Sequence, residues 1–291
     1  MVRIALIGVD GQLGTDINIY FKEKGIELAG LVGLKDIDVC DYKMSDSILK
    51  SINPDLVINT AAFHDVDLCE DEVLSAFKVN VMGVKNLAMI CKEIDVPLMH
   101  FSTDYIFDGK KKKPYIEDDC ARPLSLYGIS KLAGEQVMQY ILDKYYIIRL
   151  CGLYGHAGCV GKRSINFVEQ MIKLSENKKE IKVVNDQIVT PTSTMDVAKK
   201  LFELIQTEEY GIYHMTNTGS CSWYEFTCEI LKLMKSSVRV LPTTTDQFGA
   251  KARRPKYSVL DNSNLRKIGL ADLRNWKEAL KDYIESRDKS D

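Results

Sequence analysis

The stretch IALIGVDGQLG, residues 4–14, places a short apolar run directly before three glycines in the spacing G-x-x-G-x-x-G. The apolar run predicts a buried strand, and the amphipathic residues after the glycines predict a helix. In such a turn Gly8 permits the tight bend, Gly11 lets the backbone approach a pyrophosphate, and Gly14 allows close packing of the helix. The stretch therefore predicts the start of a dinucleotide-binding sheet. The alternative is a glycine-rich turn that serves backbone geometry alone.

The alternation of apolar runs and amphipathic stretches continues through the first half of the chain. Buried strands are predicted at residues 4–8, 26–32, 56–60, 98–102 and 145–150. Helices are predicted between them at residues 11–24, 45–52, 74–94 and 124–142. Repeated strand–helix units indicate an α/β fold with a doubly wound parallel sheet, a Rossmann sheet, which binds ligands beyond the carboxyl ends of its strands.

The pattern is looser after Leu150. Further strands are predicted at residues 181–184 and 212–216, and further helices at 194–206, 223–235 and 276–285. We expect an NAD(P)-binding domain in residues 1–150, to which residues 186–215 return. A smaller, interleaved C-terminal substrate lobe is expected in residues 151–185 and 216–291.

The composition excludes several classes of function. A formal net charge of -2 and a pI of about 6.2 over 291 residues argue against a general nucleic-acid-binding surface. Eight cysteines without a C-x-x-C pair, and four histidines without ligand spacing, indicate reduced thiols and no metal site. No leader sequence and no apolar segment of membrane-spanning length is recognised. A cytoplasmic protein is expected.

The end of the second predicted strand bears on the choice between NAD and NADP. The residues there read LVGLKD, 31–36, in which Lys35 favours a ribose 2′-phosphate and Asp36 favours a bare hydroxyl. The choice between the two cofactors stays open. Asp38 and Val39 are expected to border the adenine, with Asp38 as a solvated or capping acid in the alternative interpretation.

Tyr127 and Lys131 stand four residues apart in LYGISKLAGE, residues 126–135, inside a predicted helix. Side chains at this spacing share one helix face. A nearby ammonium lowers the phenol pKa from about 10, so Tyr127 is predicted to protonate a carbonyl oxygen as nicotinamide delivers hydride. Lys131 is also expected to reach the ribose hydroxyls. The alternative is a solvated pair on a surface helix.

Hydroxyl and acidic side chains follow the fourth predicted strand in FSTDYIFDG, residues 101–109. Thr103 is predicted to hydrogen-bond the reacting carbonyl and orient it. Asp104 is a second candidate for substrate contact. In the alternative interpretation Ser102, Asp104 and Tyr105 cap the loop.

Six motifs together resemble the dTDP-4-dehydrorhamnose reductase family over nearly the whole chain. They are GVDGQLG (8–14), INTAAFHDVDLCE (58–70), FSTDYIFDG (101–109), YGISKLAGE (127–135), NDQIVTPT (185–192) and RRPKYSVLDNSNL (253–265). The resemblance implies NADPH- or NADH-dependent reduction of the 4-keto group of a nucleotide-linked deoxysugar, as in dTDP-4-dehydro-L-rhamnose to dTDP-L-rhamnose, for polysaccharide biosynthesis. It implies a nucleotide-sugar as partner. No nucleic acid and no membrane are expected from the composition, and the oligomeric state stays open, with a homodimer as one alternative.

The resemblance also assigns roles to single residues. The catalytic triad it implies is Thr103, Tyr127 and Lys131. The residues it places along the cofactor are Gly8, Gly11, Gln12, Leu13, Gly14, Asp38, Val39, Ala61, Ala62, Phe63 and His64. The residues it places at the substrate are Val66, Asp67, Asp104, Gly152, Asn166 and Arg254. Asn166 and Arg254 would hold the diphosphate, although a loop amide and a surface arginine are the plain interpretations; Asp67 has helix capping as its alternative.

One motif departs from the family pattern. The chain reads RLCGLYG at residues 149–155, where the family has R-T-S-W-x-Y-G, so Gly152 stands in place of an aromatic wall. Trp223 is expected in the helix-packing core. Two other functions fit the same motifs: a nucleotide-sugar epimerase or dehydratase, and a non-catalytic NAD(P)-binding relative such as the methionine adenosyltransferase regulatory subunit.

Overall fold

The computed structural model describes residues 2–157 and 165–287. Its strands are β1 (Arg3–Ile7), β2 (Glu27–Leu31), β3 (Leu56–Asn59), β4 (Leu98–Thr103), β5 (Tyr145–Leu150), β6 (Leu153–Tyr154), β7 (Glu180–Val184), β8 (Ile188–Val189), β9 (Thr192–Ser193), β10 (Gly211–His214), β11 (Cys221–Ser222) and β12 (Arg239–Thr243). Its α-helices are α1 (Gln12–Glu23), α2 (Gly33–Asp36), α3 (Tyr42–Ile52), α4 (Val73–Phe77), α5 (Val84–Glu93), α6 (Leu126–Ile141), α7 (Phe167–Asn177), α8 (Thr194–Leu204), α9 (Trp223–Leu233), α10 (Thr245–Phe248), α11 (Ser263–Lys267) and α12 (Trp276–Arg287).

A six-stranded sheet in the order β10-β5-β4-β3-β1-β2 forms the centre of the fold. All five strand pairs are parallel. Parallel pairs need crossover connections, and the helices between the strands supply them. The predicted doubly wound α/β sheet is confirmed, and its ligand-binding edge lies at the carboxyl ends of the strands.

Helices cover both faces of this sheet. On one face α1 and α8 bury Ile17, Phe21 and Leu201 against the strands. On the other face α3, α5 and α6 bury Leu49, Leu87 and Met138. Both faces of each central strand are therefore apolar, which explains the continuous hydrophobic runs in the sequence.

The segment 73–93 is one continuous helix in which a π-helical turn, Lys78–Gly83, joins α4 to α5. With 21 residues, and a mean hydropathy of 1.3 over an 18-residue window, it is long and apolar enough to cross a membrane, contrary to the expectation that no segment approaches that length. The buried residues of α5, Val84, Leu87 and Ile90 among them, pack in the core against the sheet. A core helix of a folded domain meets the same criteria of length and composition.

The second half of the chain builds a smaller lobe and also returns to the sheet. A separate apolar cluster joins α7, β7, α9 and α12, whereas β10 pairs with β5 and α8 packs on α1. Leu265 and Leu273 belong to the core of the large sheet. The division into residues 1–150 with 186–215 and a lobe of 151–185 and 216–291 stays a prediction. The packing of Leu265 and Leu273 argues for assigning their segment to the sheet domain.

Candidate active site

The turn between β1 and α1 forms a cradle without room for side chains. Gly8 has a φ of +81°, and a Cβ there would collide with the Thr60 hydroxyl. A Cβ at Gly14 would collide with the Gly8 carbonyl oxygen, so α1 approaches the strand as only glycine allows. Gly11 is the N-cap of α1 and gives its first turn no side-chain cap. The cradle fits a pyrophosphate at the helix N-terminus.

Two of the predicted cofactor residues in this turn carry side chains, and both are buried: Gln12 and Leu13. The side chain of Leu13 packs into the core on the α1 side of the sheet. These two side chains therefore secure the helix, while the backbone around the glycines faces the expected anion.

The loop after β3 lies beside the glycine cradle. It contains four predicted cofactor residues, Ala61, Ala62, Phe63 and His64. The hydroxyl of Thr60 donates to the Gly8 carbonyl oxygen at 3.1 Å, which ties the loop to the cradle. The buried Asn80 amide bonds both the N–H and the carbonyl oxygen of Phe63, each at 2.9 Å. The backbone of this loop is therefore fixed at the edge between β1 and β3, where the strand order reverses.

The acidic side chains in the turns after β2 accept hydrogen bonds from backbone N–H groups. Asp36 accepts from Val32 N at 2.8 Å, and Asp38 accepts from Cys40 N at 2.9 Å. Lys35 is exposed. This agrees with the capping alternative for Asp38, and no described side chain here settles the ribose 2′ position.

Thr103 and Asp104 lie at the carboxyl end of β4 and are buried. The Thr103 hydroxyl donates to Asp104 Oδ1 at 3.1 Å, and the Cys151 thiol donates to Asp104 Oδ2 at 3.2 Å. Burial raises the pKa of Asp104 to about 6, although bonds from Ser258, Cys151 and Thr103 oppose the shift. Asp104 therefore holds the Thr103 hydroxyl in place through this hydrogen bond.

Tyr127 lies in the first turn of α6, whose N-cap Ser125 accepts from Gly128 N at 3.2 Å. The Tyr127 phenol is hydrogen-bonded to the Thr103 side chain. Burial raises the pKa of Tyr127 above its ordinary value, and the bond with Thr103 only partly opposes this. The prediction that Lys131 lowers this pKa is wrong for the protein without cofactor, because the Lys131 amino group is directed to a histidine.

Lys131 is fully buried one turn after Tyr127. Its Nζ lies 3.1 Å from His100 Nε2. Burial lowers the pKa of Lys131 to about 8, and the carboxylate of Glu135 acts in the opposite direction. Tyr127 is therefore bonded to Thr103, whereas Lys131, one turn further along α6, is anchored to His100 inside the sheet.

Asp67 and Arg254 come together from distant parts of the chain. Arg254 Nη2 lies 2.9 Å from Asp67 Oδ2, and Nη1 lies 3.1 Å from Oδ1. Asp67 does not cap the following turn, since Leu68 N donates to Asp65 Oδ1 instead. A fixed guanidinium therefore stands beside the loop of Phe63 and next to partly buried Val66, on the side of the site toward the second lobe.

Asn166 is not brought into this group. It is the N-cap of α7, and its oxygen accepts from Glu169 N at 3.0 Å. Its amide nitrogen donates to Gly155 O at 2.6 Å and lies 3.0 Å from the Tyr283 hydroxyl. Because this buried amide is fully engaged, the prediction that it binds diphosphate loses its support.

Gly152 has a φ of +57°, a conformation that favours glycine. A Cβ there would lie 3.2 Å from Thr190 O and 3.5 Å from the indole of Trp223. Trp223 begins α9, is partly exposed, and packs on Phe167 with ring centroids 4.5 Å apart. The Trp223 ring of the second lobe therefore borders Gly152, the position at which this chain lacks the aromatic side chain of the family pattern.

Three functional candidates escaped the sequence analysis: Asn59, Asn80 and His100. Each is a polar residue inside an apolar run, and each is buried. Asn80 and Asn59 hold the loop of residues 61–64, and His100 holds Lys131. A polar side chain at a core position of a predicted strand is the signal that could have found Asn59 and His100.

The described cysteines and acids form no metal centre. The seven cysteines that the structure describes are free thiols. Within residues 2–157 and 165–287 no group of three His, Cys, Asp or Glu residues is arranged to hold a metal ion.

The sequence matches known proteins along almost its whole length. The family model described as the RmlD substrate binding domain matches residues 2–288. The spore coat polysaccharide biosynthesis protein SpsK of Bacillus subtilis (strain 168) is 38% identical, covering 99% of this chain and 98% of that protein. The dTDP-4-dehydrorhamnose reductase of Streptomyces griseus is 36% identical, covering 96% of this chain and 91% of the relative.

Solved structures agree with the sequence matches. A dTDP-4-dehydrorhamnose reductase from Clostridium acetobutylicum superposes with a TM-score of 0.94 at 40% identity, covering 99% of this chain and 100% of the other. The reductase from Bacillus anthracis, solved with NADP, has a TM-score of 0.94 at 36% identity, covering 98% and 100%. With matches of this extent and identity, the chain belongs to the dTDP-4-dehydrorhamnose reductase family.

Proposed function

We propose that this protein reduces the 4-keto group of a dTDP-linked 6-deoxysugar, most closely dTDP-4-dehydro-L-rhamnose, with NADPH or NADH as the hydride donor. The observation that carries the proposal is the hydrogen bond of Tyr127 with Thr103, one turn before the buried Lys131 on α6 and at the same carboxyl edge of the sheet as the glycine turn of residues 8–14. Membership of the reductase family supports the same reaction.

The bound nicotinamide supplies a hydride to the carbonyl carbon. Tyr127 donates its phenolic proton to the carbonyl oxygen. The Thr103 hydroxyl, which donates to Asp104 in the free protein, turns its proton to this oxygen and orients it. The high pKa of Tyr127 keeps its proton in place until charge develops on the substrate. Overall one carbonyl, one hydride and one proton give one alcohol, and the proton is finally replaced from water.

The chain offers a matching site for each part of the ligands. The backbone around Gly8, Gly11 and Gly14 would hold the cofactor pyrophosphate, and residues 61–64 would line the nicotinamide half. Arg254 would hold the diphosphate of the sugar nucleotide, with Asp67 fixing the guanidinium. Since Asp36 and Asp38 cap backbone groups, both NADPH and NADH are expected to be used.

The test is turnover of dTDP-4-dehydro-L-rhamnose with NADPH, followed by absorbance and by identification of the sugar product. Stoichiometric oxidation of NADPH and formation of dTDP-L-rhamnose are expected. An epimerase or dehydratase would change the sugar without net cofactor oxidation, and a non-catalytic relative would bind NADPH without turnover. Either outcome would contradict the proposal. The UDP-glucose 4-epimerase of Thermus thermophilus, at 18% identity and a TM-score of 0.81, shares the fold alone.

We also propose that the protein works in the cytoplasm, binds neither nucleic acid nor membrane, and forms a homodimer. Free thiols at all seven described cysteines support a reducing compartment. Apolar side chains lie exposed on the neighbouring helices α4 and α6, with Leu74 at 87% and Tyr140 at 91% exposure, and support self-association. Light scattering after size exclusion tests the dimer.

A further inference from the structure

A row of three buried polar side chains runs from the cofactor loop to the catalytic lysine. Asn59 and His100 are directly opposite each other in the ladder of β3 and β4, and Asn59 Nδ2 lies 3.2 Å from His100 Nδ1. On the other side of the ring, His100 Nε2 lies 3.1 Å from Lys131 Nζ. All three side chains are at most 1% exposed, so water does not compete for these contacts.

A backbone N–H in the cofactor loop sets the donor–acceptor direction of the hydrogen bonds in this row. Ala61 N donates to Asn59 Oδ1 at 3.0 Å, which fixes the orientation of the Asn59 amide. The Nδ2 group of Asn59 is a donor, so His100 Nδ1 must accept. A neutral imidazole with an accepting Nδ1 carries its proton on Nε2. That proton points at Lys131 Nζ, which can accept it only as a neutral amine.

The opposite direction is disfavoured by the same contacts. An ammonium at Lys131 would need His100 Nε2 as acceptor, which moves the ring proton to Nδ1 and turns it toward the Asn59 Nδ2 donor. Burial and Lys131 lower the His100 pKa and keep the ring neutral in either tautomer, while the Asn59 backbone carbonyl raises this pKa and would accept an Nδ1 proton. The side-chain contacts, Asn59 Nδ2 with Nδ1 and Lys131 Nζ with Nε2, are the ones that favour the Nε2–H form.

Other charged groups face Lys131 from its own helix and from the sheet. Glu135 lies one turn along α6 and raises the lysine pKa, but it is itself paired with Arg149 of β5 at 2.7 Å. Tyr127 is neutral at pH 7 because its pKa is raised. Asp104 at the end of β4 acts on Tyr127. Glu135, the carboxylate that raises the pKa of Lys131, is therefore already balanced by Arg149.

We propose that Asn59 and His100 are positioning residues that favour the neutral amine of Lys131 in the free enzyme at alkaline pH, so that binding of the cofactor in that range takes up a proton onto Lys131. The proton comes from the buffer and converts the amine to the ammonium, with no other bond made or broken. The ammonium then faces the ribose hydroxyls and Tyr127, where the reaction needs a positive charge. This inference rests on the proposed role of Lys131, and it makes cofactor affinity fall as the pH rises.

The first measurement is the tautomer of His100 in the free protein, by NMR of ¹⁵N-labelled histidine, with the signal assigned by its loss in His100→Gln. At pH 9, above the lysine pKa of about 8, the Nε2–H form is expected. In Asn59→Asp the side chain accepts on both oxygens, so the ring should switch to Nδ1–H. An Nδ1–H ring or an imidazolium in the unsubstituted protein at pH 9 would overturn the proposal.

The second measurement is proton uptake on NADPH binding, by calorimetry in buffers of different ionisation enthalpy. With a lysine pKa of about 8, uptake of about three quarters of a proton is expected at pH 8.5. Asn59→Asp should reduce it by switching the ring to Nδ1–H, so that Nε2 accepts from the ammonium, and His100→Gln should reduce it by presenting an amide oxygen to Lys131. Lys131→Met should abolish it. His214→Gln removes another buried histidine of the sheet and should keep it.

Unchanged uptake in both Asn59→Asp and His100→Gln, with folding verified by circular dichroism, would exclude the two residues from setting the lysine proton. No uptake in the unsubstituted protein would exclude the linkage itself. Neither measurement uses a sugar nucleotide, so a failure here is distinct from a failure of the proposed reductase reaction.

Discussion

Tyr127 donates the proton in the proposed reaction, so its phenol oxygen is the group whose loss should affect the rate most. Tyr127→Phe keeps the ring and its edge contact with Tyr105. We expect kcat to fall by about 10² to 10⁴, while the Kd for NADPH changes by a few fold at most. Tyr140→Phe, on the same helix but 91% exposed, is the matched control. A kcat near that of the control would remove Tyr127 from the mechanism.

Asp104 gives a pH-dependent stability that can be measured without substrate. Its pKa is raised from 3.8 to about 6 by burial, so the folded protein binds the proton more tightly than the unfolded chain. Stability therefore falls as the pH rises from about 4 to about 6, and the carboxylate costs about 3 kcal/mol above that range. Asp104→Asn should raise the urea midpoint at pH 8 and leave it nearly unchanged at pH 4. An equal effect at both pH values would contradict this sign.

The sequence predicted the residues that meet the substrate better than the residues that support them. Thr103, Tyr127 and Lys131 carry their chemistry in a recognisable spacing. Asn59 and His100 act through partners on neighbouring strands, 41 positions apart in the chain, and no local spacing records such a pair. The pKa of Tyr127 in the protein without cofactor was predicted in the wrong direction, because burial, which raises this pKa, is a tertiary effect that no local spacing records.

Substitution of Gly152 tests whether backbone strain or the lack of space for a side chain determines the stability of this turn. Its left-handed φ disfavours any side chain by about 1 kcal/mol, and a Cβ would also press on Thr190 O at 3.2 Å. Gly152→Ala should therefore lower the free energy of unfolding by more than Gly25→Ala. Gly25 is also left-handed, at φ +76°, but has open space around it. Equal losses in denaturant titrations would show that the contacts at Gly152 are relaxed. Because of the same strain, we expect Gly152→Trp to destabilise the turn in the free protein, ahead of any effect on sugar binding.

At the scale of elements, long periodic segments were predictable and short tertiary ones were not. Strand β5 has the predicted bounds, and β1 is displaced by one residue. Strands β6, β8, β9 and β11 have two residues each, too few for any periodicity, and exist because of their partners. Helix α7 was missed although its apolar residues recur at helical spacing, because its N-cap, Asn166, was interpreted as a ligand.

The packing of α1 on β1 gives a prediction at this scale. Gly14→Ala places a methyl group against the Gly8 carbonyl oxygen, so the helix must move away from the strand end. We expect a lower melting temperature and a Kd for NADPH at least tenfold weaker. Gly33→Ala, at a glycine of α2 with nothing within 4 Å of its Cβ position, should change neither. If Gly14→Ala bound NADPH normally, the cradle would not hold the pyrophosphate.

At the scale of the whole molecule, the site is completed by chain segments that the sequence separates widely. The ion pair of Arg254 with Asp67 spans 187 positions, and Ser258 of the same segment supports Asp104. The glycine cradle belongs to the sheet, whereas Arg254 enters from the C-terminal half. Binding of the cofactor and binding of the sugar nucleotide should therefore be separable by substitution.

That separation is the prediction for the molecule as a whole. A ligand that binds the native state at 100 times its Kd adds about 2.7 kcal/mol of stability, which raises the melting temperature of a chain this long by about 4 °C. Arg254→Gln should keep this stabilisation by NADPH but lose most of the stabilisation by dTDP, since a charged hydrogen bond to phosphate contributes about 1.5–3 kcal/mol. Arg253→Gln is the matched control, because Arg253 is the neighbouring residue in the chain and its own side chain is exposed. Equal responses of the two variants to dTDP would place the diphosphate elsewhere.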